Sequence, residues 1–209
     1  MCYTKTASGR CMRASAGCRN LFYQNHCRIP CGIHSVFSNT FIFDAENDGK
    51  EGYLYSLVTT SIIQGIKSIP VYVEADVSDG MPLFEMVGSL SPEVKESKER
   101  VRTALKNTGY ILPPKRITIN FIPANIRKTG SGFDLPVVAA VLCAIGIVPE
   151  EALKDTMVVG EISLSGDVKP VNGILPMVAE AKERGVTRCI VPAENQTEAL
   201  LVKEIEIFA

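Results

Sequence analysis

The chain has 209 residues, with 22 lysines and arginines, 23 aspartates and glutamates, and a formal net charge of −1. Its 46% hydrophobic and 22% charged residues are typical of a folded domain, which excludes a wholly disordered chain. No apolar stretch approaches the roughly 18 residues of a membrane-spanning helix. The near-zero net charge argues against a protein that coats nucleic acid with a uniformly basic surface, but it allows a local basic patch.

Residues 1–52 differ in character from the rest of the chain. Five of the seven cysteines lie here, and residues 1–43 contain five basic residues and no acid. Residues 1–43 show neither helical nor strand periodicity, and the polar composition of residues 44–52 indicates a linker. We therefore divide the chain into a poorly ordered, Cys-rich basic leader, 1–52, and one compact domain, 53–209.

The leader cysteines allow a disulfide or a metal interpretation, and the pattern favours neither. The start of the chain lacks the apolar region of an export signal, so we expect a cytoplasmic protein. A metal site would use Cys27, Cys31 and His34, with His26 or Cys18. Since Cys-x3-Cys-x2-His is a poor zinc spacing, we predict incidental thiols and no metal site.

The first half of the domain predicts three strands followed by a helix. The strands are placed at 54–64, 70–77 and 83–87, and Ser78-Asp79-Gly80 predicts a hairpin between the second and the third. Ser91 and Pro92 are suited to the N-cap and the first helical position, so a helix begins there and runs to about Thr108.

The second half of the domain alternates strands and helices. The predicted strands are 116–122, 157–163, 168–171, 188–191 and 205–208, and the predicted helices are 135–145, 174–184 and 198–202. Helix 135–145 is almost wholly apolar, which is typical of a central buried helix. The order predicts an α+β fold, or a mixed α/β sandwich, with helices packed on a mixed sheet.

The residues in the domain limit its chemistry. The phosphate-loop pattern Gly-x4-Gly-Lys-Ser/Thr is absent, so we expect no ATP binding through such a loop. Both histidines lie in the leader, which excludes a Ser-His or Cys-His site in 53–209. A Ser-Lys pair remains conceivable, with Ser131 or Ser163 as nucleophile and Lys169 as base.

A glycine-rich turn is the most informative stretch. Arg127 and Lys128 precede Gly130, Ser131 and Gly132, and Asp134 then opens the buried helix. Backbone N–H groups at such a helix start can hold an anion. The carboxylate of Asp134 can instead serve as the N-cap and occupy those donors, which is the interpretation we favour.

Six stretches of the domain resemble the N-terminal domain of the ComM/YifB family, the magnesium-chelatase-like AAA+ proteins of bacteria. They are VEADVSDG (73–80), VKESKERVRTALKN (94–107), PPKRITIN (113–120), GSGFDLP (130–136), GEISL (160–164) and VPAEN (191–195). They follow the family's order and span most of 53–209, whereas the leader does not match.

The resemblance implies a fold like the proteolytic domain of Lon, a ribosomal-protein-domain-like α+β arrangement, without the peptidase. In Lon-like proteases the glycine-rich turn carries a nucleophilic serine and a later helix carries a lysine base. Those positions fall on Gly132 and Met177, which can perform neither role. We therefore expect no enzyme activity, and no cofactor in this chain.

The family's activity, ATP-driven DNA branch migration by a hexameric ring in natural transformation, resides in a motor domain after this one. We expect ATP and Mg²⁺ to be bound only by that motor, which residues 1–209 do not include. The expected partners are DNA and further copies of the chain in a homo-oligomeric ring, with no membrane.

The charges of the domain are unevenly placed. Residues 95–128 hold nine bases and two acids, whereas 129–209 hold six bases and twelve acids. We predict DNA contact through four bases that flank turns and have no acid near them in sequence: Lys115, Arg116, Arg127 and Lys128. Two alternatives stay open, namely a ring-assembly module without DNA contact and a residual Ser-Lys hydrolase.

Overall fold

A computed structural model of the protein describes residues 55–209 and the backbone of two short segments before them. These segments, strands β1 (Tyr3–Lys5) and β2 (Cys11–Arg13), pair antiparallel. The rest of the predicted leader, with Cys18, His26, Cys27, Cys31 and His34, lies outside the described residues. The domain boundary at residue 53 therefore stays a prediction.

A seven-stranded mixed sheet forms the frame of the domain. Its order is β11-β10-β7-β3-β4-β6-β5, and β4 runs opposite to the other six strands. The strands are β3 (Tyr55–Gln64), β4 (Lys67–Ser78), β5 (Leu83–Val87), β6 (Arg116–Ile122), β7 (Thr156–Val158), β10 (Arg188–Ile190) and β11 (Glu206–Phe208).

The β3–β4 pairing follows from local sequence, but the position of β5 does not. β3 and β4 form a hairpin around Gly65, whose φ of 64° lies in the left-handed region that glycine favours. The predicted hairpin between the second and third strands is wrong, because β6 inserts between β4 and β5. A turn signal indicates a change of direction, and it does not determine which strand becomes the neighbour.

Two helices cover one face of the sheet and build the main core. Helices α1 (Pro92–Asn107) and α2 (Asp134–Ala144) pack there against Val71, Val73, Ala75 and Val77 of β4, the face that the alternation predicted. Every residue of α2 is buried, as its apolar sequence indicated. The predicted start of α1 is confirmed, with Ser91 as N-cap and Pro92 at the first helical position.

The strand predicted at 157–163 is two strands in the structure. β7 stays in the large sheet, whereas β8 (Glu161–Ile162) leaves it and pairs antiparallel with β9 (Val168–Lys169). The break lies at Gly160, whose N–H donates to Gly132 O at 3.1 Å and whose carbonyl accepts from Leu135 N–H at 3.0 Å. The backbone of Gly160 thus binds the glycine-rich turn instead of a neighbouring strand.

Short helices complete the domain and cover half of the second sheet face. Helix α4 (Ile174–Glu183) packs over β7 and β10, with Ile63 of β3 at its side. Helix α3 (Glu150–Leu153) was not predicted, and helix α5 (Gln196–Ala199) continues a 3₁₀ turn at Ala193–Asn195. Among the described helices, none is long and apolar enough to cross a membrane.

The other half of the second face is open to solvent. This open sheet face, over β3, β4, β6 and β5, presents Tyr55, Leu57, Glu74, Asp76, Glu85 and Asn120. Tyr55 and Asn120 each donate to the Glu74 carboxylate at 2.7 Å. The hydrogen bond to Glu74, with burial and the nearby Glu150 charge, raises the pKa of Tyr55 to about 12. The predicted α+β class with a mixed sheet is confirmed.

The buried cysteines generate the first prediction. Burial raises the pKa of the Cys143 and Cys189 thiols to about 12, with the Glu150 and Glu151 charges adding to the effect at Cys143. Because the thiolate is the reactive form, both thiols should stay unmodified by iodoacetamide at pH 8 in peptide-mapped labelling of the native chain. The same protein in denaturant is the control, and rapid native labelling would show that these segments open.

Candidate functional site

The glycine-rich turn opens onto a cavity of about 300 Å³. Its lining includes Gly130, Ser131 and Gly132 from the turn, Met177 from α4, and Glu161 from β8. The turn and α4 are more than forty positions apart in sequence, and the fold brings them to one place because Gly160 fastens the turn beside β7. The two positions that the Lon resemblance singled out therefore face the same cavity.

Gly132 and Met177 leave this cavity without a nucleophile or a base at the two positions. A Cβ at Gly132 would lie 3.4 Å from Val159 and 3.5 Å from Val171, which is ordinary contact. A Cβ at Gly160 would lie 3.1 Å from both Leu135 and Val168, which is tight. Space for a Cβ therefore does not explain the glycine at 132.

The two candidate serines have partners other than the candidate lysine. The Ser131 hydroxyl donates to the Glu161 carboxylate. Ser163 Oγ lies 2.8 Å from Ser165 Oγ and accepts from the Asp167 N–H at 3.0 Å, so it belongs to a turn. The amine of Lys169 lies 3.9 Å from the Asp167 carboxylate. These contacts provide no serine–lysine hydrogen bond for the residual hydrolase interpretation.

Asp134 is not the N-cap that we expected. It is the first residue of α2, and its carboxylate accepts from the Ser97 hydroxyl and from Arg100 Nε at 2.8 Å, both on α1. It also accepts from the Ile162 N–H of β8 at 3.2 Å. The side chain of Asp134 is fully buried, and hydrogen bonding to it raises the pKa of Arg100. The prediction failed because the partners lie on two other elements.

The anion interpretation of the same helix start also fails. The first amide donors of α2 already have acceptors, since Asp134 N–H donates to Ser131 O and Leu135 N–H donates to Gly160 O. Pro136 has no N–H, and Val137 N–H begins the regular helical bonds by donating to Phe133 O. The four positions at this helix start thus offer no donor to an anion.

Lys128 cannot contact DNA, because its side chain is fully buried. Its amine donates to Phe121 O at 3.3 Å and to Pro123 O, and burial lowers the pKa of the amine. No carboxylate lies within 4 Å of it in the described part of the chain. The predicted DNA contact of Lys128 is therefore wrong, because the loop after β6 folds its side chain back onto the carbonyls of Phe121 and Pro123.

The other three candidate bases do not form one exposed, unpaired group. Lys115 pairs with Asp79 at 3.0 Å, and Arg116 pairs with Glu85 at 3.0 Å on the open sheet face. Both acids are distant in sequence, which is why the bases were expected to be unpaired. Arg127 is exposed, but it follows the far end of β6, a strand of about 20 Å, so the four bases do not line one edge.

Sequence reasoning missed the partners of the site. Glu161, Ser97 and Arg100 were not proposed, although Ser97 interrupts the buried stripe of α1. A small polar residue on a buried helical face indicates a hydrogen-bond partner on another element, so Ser97 could have been predicted to belong to the site. Within residues 55–209, no three His, Cys, Asp or Glu side chains come together in a way that could hold a metal ion.

The fold is a Lon-protease-like α+β domain, and Gly132 and Met177, which the resemblance predicts to be the dyad positions, line one cavity. Residues 73–195 match the family model described as subunit ChlI of Mg-chelatase, and the chain belongs to that family. YifB of Escherichia coli, an uncharacterized protein, is 37% identical over 70% of this chain, and the competence protein ComM of Haemophilus influenzae is 34% identical over 71%. The ComM/YifB resemblance is thereby confirmed.

The relatives are longer than this chain. The matched residues cover 29% of YifB and 29% of ComM. Lon protease 2 of Bacillus subtilis is 35% identical over 62% of this chain and 24% of its own length. This similarity agrees with the Lon-like fold.

Removing the Asp134 carboxylate should destabilise the domain strongly. Asp134→Ala leaves the Arg100 guanidinium, the Ser97 hydroxyl and the Ile162 N–H without their acceptor, so the free energy of unfolding should fall by about 3–5 kcal/mol in urea denaturation. The matched control is Glu99→Ala on α1. The Glu99–Arg102 pair is 3.7 Å long and exposed, so its loss should cost about 1 kcal/mol or less. Equal losses would contradict a special role for Asp134.

Proposed function

We propose that residues 53–209 are a non-catalytic N-terminal domain of a ComM/YifB-type magnesium-chelatase-like AAA+ protein. In this proposal the domain supports DNA binding and ring assembly during DNA branch migration in natural transformation. ATP and Mg²⁺ would be bound by a motor domain that residues 1–209 do not contain. Membership of the Mg-chelatase ChlI family and similarity to a competence protein support the proposal.

The separation of charge across the domain is the observation that carries the DNA part. Helix α1 lies on the core side of the sheet and presents four bases to solvent, Lys95, Lys98, Arg102 and Lys106. It also exposes three acids, Glu93, Glu96 and Glu99, so the bases are in modest excess on this side. The open sheet face, on the opposite side of the sheet, presents Glu74, Asp76 and Glu85. A side with an excess of bases, opposite a side on which Arg116 neutralises only one of the three carboxylates, attracts phosphates more strongly than the opposite side does.

The same separation favours the second candidate, a pure oligomerisation module. A basic face and an acidic face on opposite sides can meet head to tail in successive copies, and such a heterologous contact closes a ring. The open sheet face also exposes the apolar side chain of Leu57 and the ring of Tyr55. The two candidates differ in one respect, since only the first requires nucleic acid.

The cavity predicts no peptidase activity. Gly132 and Met177 provide neither nucleophile nor base, and the Ser131 hydroxyl is bonded to Glu161. A serine-directed acylating probe should therefore leave the native chain unlabelled, and an unstructured peptide substrate should stay intact. Labelling that disappears in Ser131→Ala or Lys169→Ala would refute this prediction, and chymotrypsin serves as the positive control.

Binding of labelled oligonucleotides by the full chain tests the DNA part. We expect a weak, salt-dependent affinity, with Kd of about 10⁻⁴–10⁻⁶ M, as for non-specific binders. Sedimentation of the same protein without DNA, over a concentration series, tests the alternative. Assembly that rises with concentration, together with no DNA binding at low salt, would favour the oligomerisation module and contradict DNA contact.

A further inference from the structure

Three bases on α1 form a row along the exposed side of the helix. Lys98, Arg102 and Lys106 are four residues apart, so they follow one another at about 6 Å along the helix axis. In the described residues, neither Lys98 nor Lys106 has a carboxylate within 4 Å, and Arg102 has only its exposed pair with Glu99. We call Lys98, Arg102 and Lys106 the α1 basic row.

The α1 basic row borders a continuous shallow groove. One cleft, of about 450 Å³, includes Arg102, Lys106, Ile111 and Leu112 in its lining. A second, of about 310 Å³, includes Lys98, Arg102, Leu112 and Lys115. Arg102 and Leu112 line both, so the two clefts adjoin, and the groove is basic along its length with Glu99 as the acid in its lining.

The groove has an apolar side as well as a basic one. Ile111 is 89% exposed, and Leu83 is 43% exposed at the other cleft. Leu112 and the ring of Tyr110 also contribute to the lining. Evenly spaced cations beside apolar and aromatic surface fit a nucleic-acid strand, whose phosphates need neutralisation and whose bases have apolar faces.

We propose that this groove binds the phosphate backbone of single-stranded DNA, with the α1 basic row on the phosphates and the apolar lining against sugars and bases. The proposal rests on the proposed function and assigns its DNA contact to a surface. Single-stranded DNA fits better than duplex, because only a strand with unpaired bases can place them against Ile111 and Leu112. It replaces the four turn-flanking bases, of which Lys128 is buried and two are paired.

The structure explains why α1 separates its charges in this way. Arg100 points to the core side and is committed to Asp134, whereas the α1 basic row lies on the solvent side. No acid lies three or four positions from Lys98 or Lys106, the spacings at which ion pairs form along a helix. Among the described residues, Arg102 is the one member of the α1 basic row that forms an ion pair, with Glu99 at 3.7 Å.

The test compares two triple variants of the full chain. Lys98→Ala/Arg102→Ala/Lys106→Ala removes the α1 basic row, and Lys169→Ala/Lys182→Ala/Lys203→Ala removes the same charge from positions outside the groove. Both are measured with fluorescent oligo(dT) over a salt series, and thermal melts report folding. The α1 variant should flatten the log–log salt slope by about 2, at about 0.7 per single-strand phosphate contact, while the control keeps the wild-type slope.

The outcomes separate this inference from the proposed function. Wild-type binding with equal slopes in both variants would overturn the groove and leave DNA contact standing elsewhere on the domain. No binding by the wild type at low salt would overturn both. Duplex bound more tightly than oligo(dT), with the α1 variant losing both equally, would overturn the single-strand assignment. A melting temperature for the α1 variant near that of the wild type ensures that a lost slope reports lost contacts.

Discussion

The carboxylate of Asp134 is fully buried, so its charge must be compensated by hydrogen-bond and ion-pair partners on other elements. Ser97 and Arg100 come from α1, and the Ile162 N–H comes from β8. Three elements that are distant in sequence are therefore fixed around one side chain. The Asp134 carboxylate thereby ties α1, β8 and the start of α2 to one another.

The cavity beside the glycine-rich turn depends on the same arrangement. Gly160 bonds to Gly132 and to Leu135, the residue after Asp134, and Gly132 and Met177 line the same small cavity. The two positions that the Lon resemblance singled out face one cavity there, although neither side chain can act as a nucleophile or a base.

On α1, two arginines with similar sequence surroundings have different roles because one is partly buried and the other is exposed. Arg100 is a structural residue because it faces Asp134, whereas Arg102, two positions on, faces solvent and borders a groove. Lys128 likewise donates to the carbonyls of Phe121 and Pro123, although the sequence analysis grouped it with bases that contact DNA. A count of charges over a window therefore predicts a basic region correctly and still misassigns which side chains can reach a phosphate.

The sequence by itself determined the α+β class, the alternation of β4, the buried helix at Asp134–Ala144 and the lack of nucleophile and base at Gly132 and Met177. These follow from residue identity and from periodicities of two and 3.6 residues, which are local properties. Only the tertiary structure decided that β6 separates β4 from β5, that Asp134 binds α1 instead of capping α2, and that Lys128 is buried. Each of these depends on which groups, distant in sequence, become neighbours in the folded chain, and a local sequence pattern does not determine those neighbours.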